Sequence, residues 1–112
     1  MQHLDSLQFL YVHNNLLHFI PSWITKLEHL TILDAGFNRL ITVPDLSVIP
    51  SLQEVDLQHN NLEEIPWNLL NKPNLKMLFL RDNPFISDPD DLQAIKRISR
   101  KRQQEGVVIY YD

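Results

Sequence analysis

Four stretches of this chain share one spacing: LQFLYVHNNLL from Leu7, LTILDAGFNRL from Leu30, LQEVDLQHNNL from Leu52 and LKMLFLRDNPF from Leu75. Their first leucines step by 23, 22 and 23 residues, and Asn15, Asn38, Asn60 and Asn83 keep the same steps. A fixed period of this size means that each unit is one supersecondary element too small to bury its own apolar face, so neighbouring units must stack to make a core. Within a unit, apolar and polar residues first alternate, as on a half-buried strand, and then an asparagine follows among leucines. An amide in that setting costs about 1 to 3 kcal/mol unless it is hydrogen-bonded. Asparagine carries both a donor and an acceptor, so a stack of the four can satisfy the backbone groups of a turn that leaves each strand. The pattern therefore predicts that Asn15, Asn38, Asn60 and Asn83 face inward as a structural ladder and take no part in ligand contact.

The second half of each unit agrees: LHFIPSWITKLEHL, LITVPDLSVIPSL and LEEIPWNLLNKPNL follow the first three asparagines. Pro21, Pro44 and Pro66 cannot donate a ladder hydrogen bond and belong where the chain has left the sheet. Trp23 and Trp67 come shortly after two of them and are expected to pack partly along the outer side. With their LxxLxLxxN first halves, these units resemble the leucine-rich repeat family, in its class of roughly 23 residues with IPxxI and IPxxL arms. The resemblance implies an α/β solenoid, right-handed, with a short parallel sheet on its concave face. Strands are expected near residues 8–13, 31–35, 53–57 and 76–80. It implies a single domain over residues 1–112, with about four repeats over 4–86 and a cap over 87–112.

The repeat breaks after Asn83. In DPDDLQAIKRISRKRQQ, Asp88 is an N-cap candidate before Pro89, Asp90 and Asp91 suit the positive end of a helix, and Leu92, Ile95 and Ile98 form an apolar stripe. Gly106 ends that helix, and VVIYY reads as a closing strand near residues 108–111. At the other end HLDSL matches KLEHL, with Leu4 in the place of Leu27 and Ile49, so an N-terminal cap is not evident. Either preceding repeats belong to a longer parent, or the first strand is a bare edge open to self-association.

Composition narrows the function classes. With 44% hydrophobic residues the chain suits an ordinary soluble domain. Cysteine is absent, which excludes disulfides and thiolate metal sites and favours a cytoplasmic setting, with a secreted effector as the other option. No apolar run reaches the roughly 20 residues of a membrane span. Glycine occurs only at Gly36 and Gly106, so a phosphate-cradling loop is excluded, and neither GxSxG nor HExxH is present. The reading is of a non-enzyme with no cofactor, metal or small-molecule substrate. The net charge of −4 is uneven: residues 1–95 hold 12 acidic and 5 basic residues, whereas 96–112 hold 2 acidic and 5 basic. An acidic body argues against general nucleic-acid binding.

That leaves the concave face, read by column. Third positions are Phe9, Ile32, Glu54 and Met77; fifth are Tyr11, Asp34, Asp56 and Phe79; seventh include His13 and Arg81; eighth include Phe37. Aromatic and aliphatic residues there exceed what a neutral surface needs. Asp34 and Asp56, on adjacent strands about 5 Å apart, repel unless a cation or basic group relieves them. An acidic centre with aromatic flanks suits a protein partner that presents basic side chains. Two alternatives remain: an accessory segment of a larger signalling or effector protein, and contact of KRISRKR (96–102) with nucleic acid or anionic lipid. The bland reading of KRISRKR is a solvated helix face near the negative helix end.

Overall fold

In the computed structural model, residues 6–112 are described. Three-residue strands recur at one place in each unit: β1 (Phe9–Tyr11), β2 (Ile32–Asp34), β3 (Glu54–Asp56) and β4 (Met77–Phe79), with β5 (Val108–Tyr110) at the end. They form one sheet in chain order, every pair parallel. The strands are shorter than the alternating pattern predicts. What stops them is a left-handed residue shortly after each: Asn14, Phe37, His59 and Asp82 have φ of 59°, 58°, 55° and 54°. Inter-repeat backbone bonds run up to that point, as in Asn14 N–H to Gly36 O at 3.1 Å and His59 N–H to Arg81 O at 2.8 Å.

Strand alternation sends the middle residue of each strand inward. Leu33, Val55 and Leu78 are fully buried, as are Leu30 and Leu52 before them and Leu57 and Leu80 after them. Each such leucine contributes about 1.5 to 3 kcal/mol by leaving water. Leu7, Leu10 and Val12 of the first turn are only partly buried against this core. Leu4, expected in the column of Leu27 and Ile49, lies outside the described residues. That column continues to Lys72, which is only 3% exposed. Its alkyl stem can fill the place of a leucine. Burial holds its ammonium pKa below the ordinary lysine value.

The arms leave the sheet at the expected prolines. Pro21 precedes a 3-10 turn at Ser22–Lys26, and Pro66 precedes the short helix α1 (Trp67–Leu70). Between them, Asp45 caps a 3-10 turn at Leu46–Val48 by accepting from Ser47 N–H. Trp23 and Trp67 stay half-exposed on these arms.

The asparagine ladder is present in three of its four steps. Asn60 donates to Leu57 O, Gln58 O and Ala35 O, and its Oδ1 accepts from Leu40 N–H at 3.0 Å. Asn38 and Asn83 repeat the pattern, reaching back to Val12 and Leu17 and to Leu57 and Leu62. Asn15 departs from the expectation: it is exposed, and its amide donates only within its own turn, to Val12 O and His13 O.

After a 3-10 turn at Pro84–Ser87 comes helix α2 (Pro89–Gln103). Asp88 accepts from Asp90 N–H at 2.8 Å and Asp91 N–H at 3.3 Å, so the capping residue and the proline at the first helical position stand as read. Ile95 is buried, with Ile98 packed beside the core. Gly106, at φ 85°, turns the chain into β5. One basic residue contradicts the expectation of a solvated face. Arg102 is buried, donates to Lys72 O and pairs with Glu105 at 3.0 Å, because it lies on the helix side turned toward the last repeat.

Candidate functional site

Register builds this face. Because the middle residue of each strand goes inward, its neighbours point to the open side, and the pairing lines up Phe9, Ile32, Glu54 and Met77 in one row. Tyr11, Asp34, Asp56 and Phe79 make the next. Phe9 and Tyr11 are 49% and 58% exposed, while Ile32, Asp34, Glu54, Asp56, Met77 and Phe79 are half-buried. All eight residues predicted for these rows therefore share one surface. Both rows continue onto β5, where Val108 and Tyr110 follow. Tyr110 was not foreseen as part of the face; the aromatic residue that closes VVIY as Phe79 closes KMLF was the available signal. Its ring stacks on Phe79 at 4.6 Å with 5° between planes, and the Arg81 guanidinium lies 5.6 Å from its centre.

The acidic centre is relieved from within the chain. Asp34 Oδ2 lies 3.1 Å from His13 Nδ1, and its other oxygen accepts from Gly36 N–H. Asp56 accepts from the backbone N–H and the side-chain amide of Gln58, at 3.0 and 2.9 Å. Burial pushes the Asp56 carboxyl above its ordinary pKa; the bonds from Gln58 oppose this, the charge of Asp34 adds to it, and His13 offsets that charge. Gly36 leaves room for this carboxylate: a Cβ there would stand 3.0 Å from Asp56 Oδ1. Tyr11, Ile32, Asp34, Glu54, Asp56 and Phe79 surround a shallow cup of about 160 Å³.

The eighth positions form a rim rather than a flat column, since each is the left-handed residue that ends its strand. Phe37 stacks on His59 at 4.2 Å, and His59 Nδ1 lies 2.6 Å from Asp82. A bulky side chain at positive φ costs on the order of 1 kcal/mol, yet Phe37 stays 47% exposed. The two histidines are thus each engaged by an aspartate. Among the described residues, no group of three or more His, Cys, Asp or Glu side chains is placed to hold a metal ion.

A larger cleft of about 550 Å³ lies elsewhere, between the arms of the second and third repeats, lined by Ile41, Pro44, Leu46, Glu63, Pro66 and Trp67 among others. Asn68 reaches Asp45 from one arm to the other at 3.3 Å. It separates two consecutive arms and gathers none of the residues singled out for the concave face. No helix among the described residues is long and apolar enough to cross a membrane.

Comparison with known proteins adds two kinds of likeness. A family model described as "Leucine Rich repeats (2 copies)" matches residues 50–94, and one described as "Leucine Rich Repeat" matches residues 6–27. The chain is 38% identical over 87 residues to the Oligodendrocyte-myelin glycoprotein of Homo sapiens, covering 76% of this chain and 19% of that protein. It is 31% identical over 81 residues to fibromodulin of Bos taurus, covering 72% of this chain and 21% of that protein. With an adenylate cyclase of Schizosaccharomyces pombe it shares 29% over 96 residues, covering 84% of this chain but 6% of the cyclase. The chain thus spans about a fifth or less of the length of these three relatives.

Proposed function

Because the chain belongs to the leucine-rich repeat family, we propose that it is a non-catalytic protein-interaction module that binds through the concave face of its sheet. The observation that carries this reading is the register row Tyr11, Asp34, Asp56, Phe79 and Tyr110, which lines up an acidic centre between aromatic ends. At about 4.8 Å per strand the row is roughly 20 Å long, the reach of an extended peptide or a helix edge rather than of a small metabolite. Exposed aromatics supply anchors, and carboxylates favour a partner bearing basic side chains. The match to a cyclase covers too little of it to lend this chain its activity.

In this reading the chain is one domain, with repeats over residues 4–86 of a right-handed solenoid and a cap over 87–112 made of α2 and β5. Relatives that include a glycoprotein by name give the cytoplasmic expectation no support, and a secreted role suits the same binding mode. The reading through the basic helix is weakened by Arg102, whose charge is turned inward.

The test is the double change Asp34→Asn and Asp56→Asn, which keeps an acceptor for the turn bonds from Gly36 and Gln58. Binding of a basic protein partner should weaken about tenfold or more and lose much of its salt dependence, while melting is unchanged. Affinity that ignores this change, and falls instead when Lys96, Arg97, Arg100 and Lys101 are neutralised, would place binding on α2.

A further inference from the structure

The three carboxylates of the concave cup are not equivalent. Asp34 is engaged by His13 and the Gly36 N–H, and Asp56 is held twice by Gln58. The carboxylate of Glu54, half-buried two residues before Asp56 on the same strand, makes no hydrogen bond or ion pair among the described residues, while its backbone N–H donates to Thr31 O. Its register partner on β4 is Met77; Phe79, opposite Asp56, stands diagonally across from Glu54, stacked on Tyr110, and lines the same cup. One carboxylate with free oxygens thus shares with an aromatic ring, itself braced by Tyr110, a cup of about 160 Å³ that suits a single side chain.

We infer that this cup takes the guanidinium of an arginine side chain from an extended segment of a protein partner, seated between Glu54 and Phe79. The inference rests on the concave-face reading above. Arginine fits better than lysine for three physical reasons. Its planar fork can pair both oxygens of a carboxylate, whereas an ammonium is a point charge. Its flat face stacks on a ring. Its weaker hydration lowers the cost of leaving water for a half-buried cup, where Asp56 is already raised in pKa by burial. Asp34 and Asp56, held in place, then supply a fixed negative field beneath the cation. Tyr11, on the far side of the cup, lies about 14 Å from Phe79 by strand spacing, so it meets the flanking residues of the segment and not the same guanidinium.

The experiment is an amide-resolved NMR titration of the full chain with three ten-residue Gly/Ser peptides that differ only at the centre: arginine, lysine or citrulline, the neutral isostere of arginine. The arginine peptide should move the amides of Leu33, Asp34, Val55 and Asp56 in a saturable way, with lysine on the order of fivefold weaker and citrulline inert. Glu54→Gln should cost the arginine peptide about fivefold to tenfold and erase its advantage over lysine, with the melting temperature of the variant measured alongside. Equal binding of the arginine and lysine peptides would overturn the inference. So would a protein partner lost on Tyr11→Ala and Phe79→Ala but indifferent to Glu54→Gln, a result that leaves the concave-face reading standing. Shifts confined to α2 or to the convex arms would overturn both.

Discussion

At the scale of single residues, chemistry shared by two side chains gives different consequences in different surroundings. Asn60 holds four backbone groups from two repeats, all buried or nearly so, whereas Asn15 holds two of its own exposed turn. Asn60→Ala is therefore expected to cost about 1 to 3 kcal/mol and Asn15→Ala less than about 1 kcal/mol in urea unfolding. Equal losses would remove the ladder as an explanation. Lys72 makes the opposite case, a charge in a leucine column. Its pKa is lower in the folded chain than in the unfolded one, so between those values the unfolded chain binds more protons and stability rises with pH. Lys72→Leu should stabilise at pH 7 by on the order of 1 kcal/mol and flatten the rise toward pH 10, where the wild-type lysine loses its charge. Unfolding curves at the two pH values decide it. Arg102 bonds the main-chain oxygen of residue 72 and keeps that bond in the variant.

Among the elements, α2 tests how much a helix depends on its first turn. Asp88→Ala removes the acceptor for two N–H groups and is expected to lower stability by about 1 kcal/mol, with Asp88→Asn costing less. Elements of this kind were legible before any coordinates, because caps, prolines and strand alternation are local signals. The positions of the five strands, the N-cap Asp88 and the glycine turn follow from residues within a few places of each other. Several features were not legible, and each depends on residues distant in the chain. That Asn15 is exposed depends on its place at the start of the stack. That Arg102 is buried depends on Lys72, 30 positions earlier. The left-handed turn at Phe37 was hidden because its residue type argues against positive φ, while asparagine and aspartate at Asn14 and Asp82 hinted at it. The rows of the concave face were readable by counting, yet the pairing of His13 with Asp34 and of Gln58 with Asp56 needed side-chain geometry.

For the whole molecule, extents of 44 × 32 × 18 Å describe a thin slab in which each strand pairs only with its neighbours in the sheet. Stability then is graded along the stack. Native-state hydrogen exchange should be slowest at the amides of Ala35 and Leu57, bonded between central strands, and several-fold or more faster at Val12 and Asn14 near the β1 edge. Uniform protection from β1 to β4 would contradict a graded stack. The asparagine bonds add a direction to this gradient. Asn38 fastens to Val12 and Leu17, Asn60 to Ala35 and Leu40, Asn83 to Leu57 and Leu62, and in each case the partner turn was made first. Every new turn brings the clasp that closes it onto the turn already built and meets a backbone N–H that the earlier turn had left open. A ribosome delivers the chain in that same order, so the clasps can close one after another while the protein is still being made.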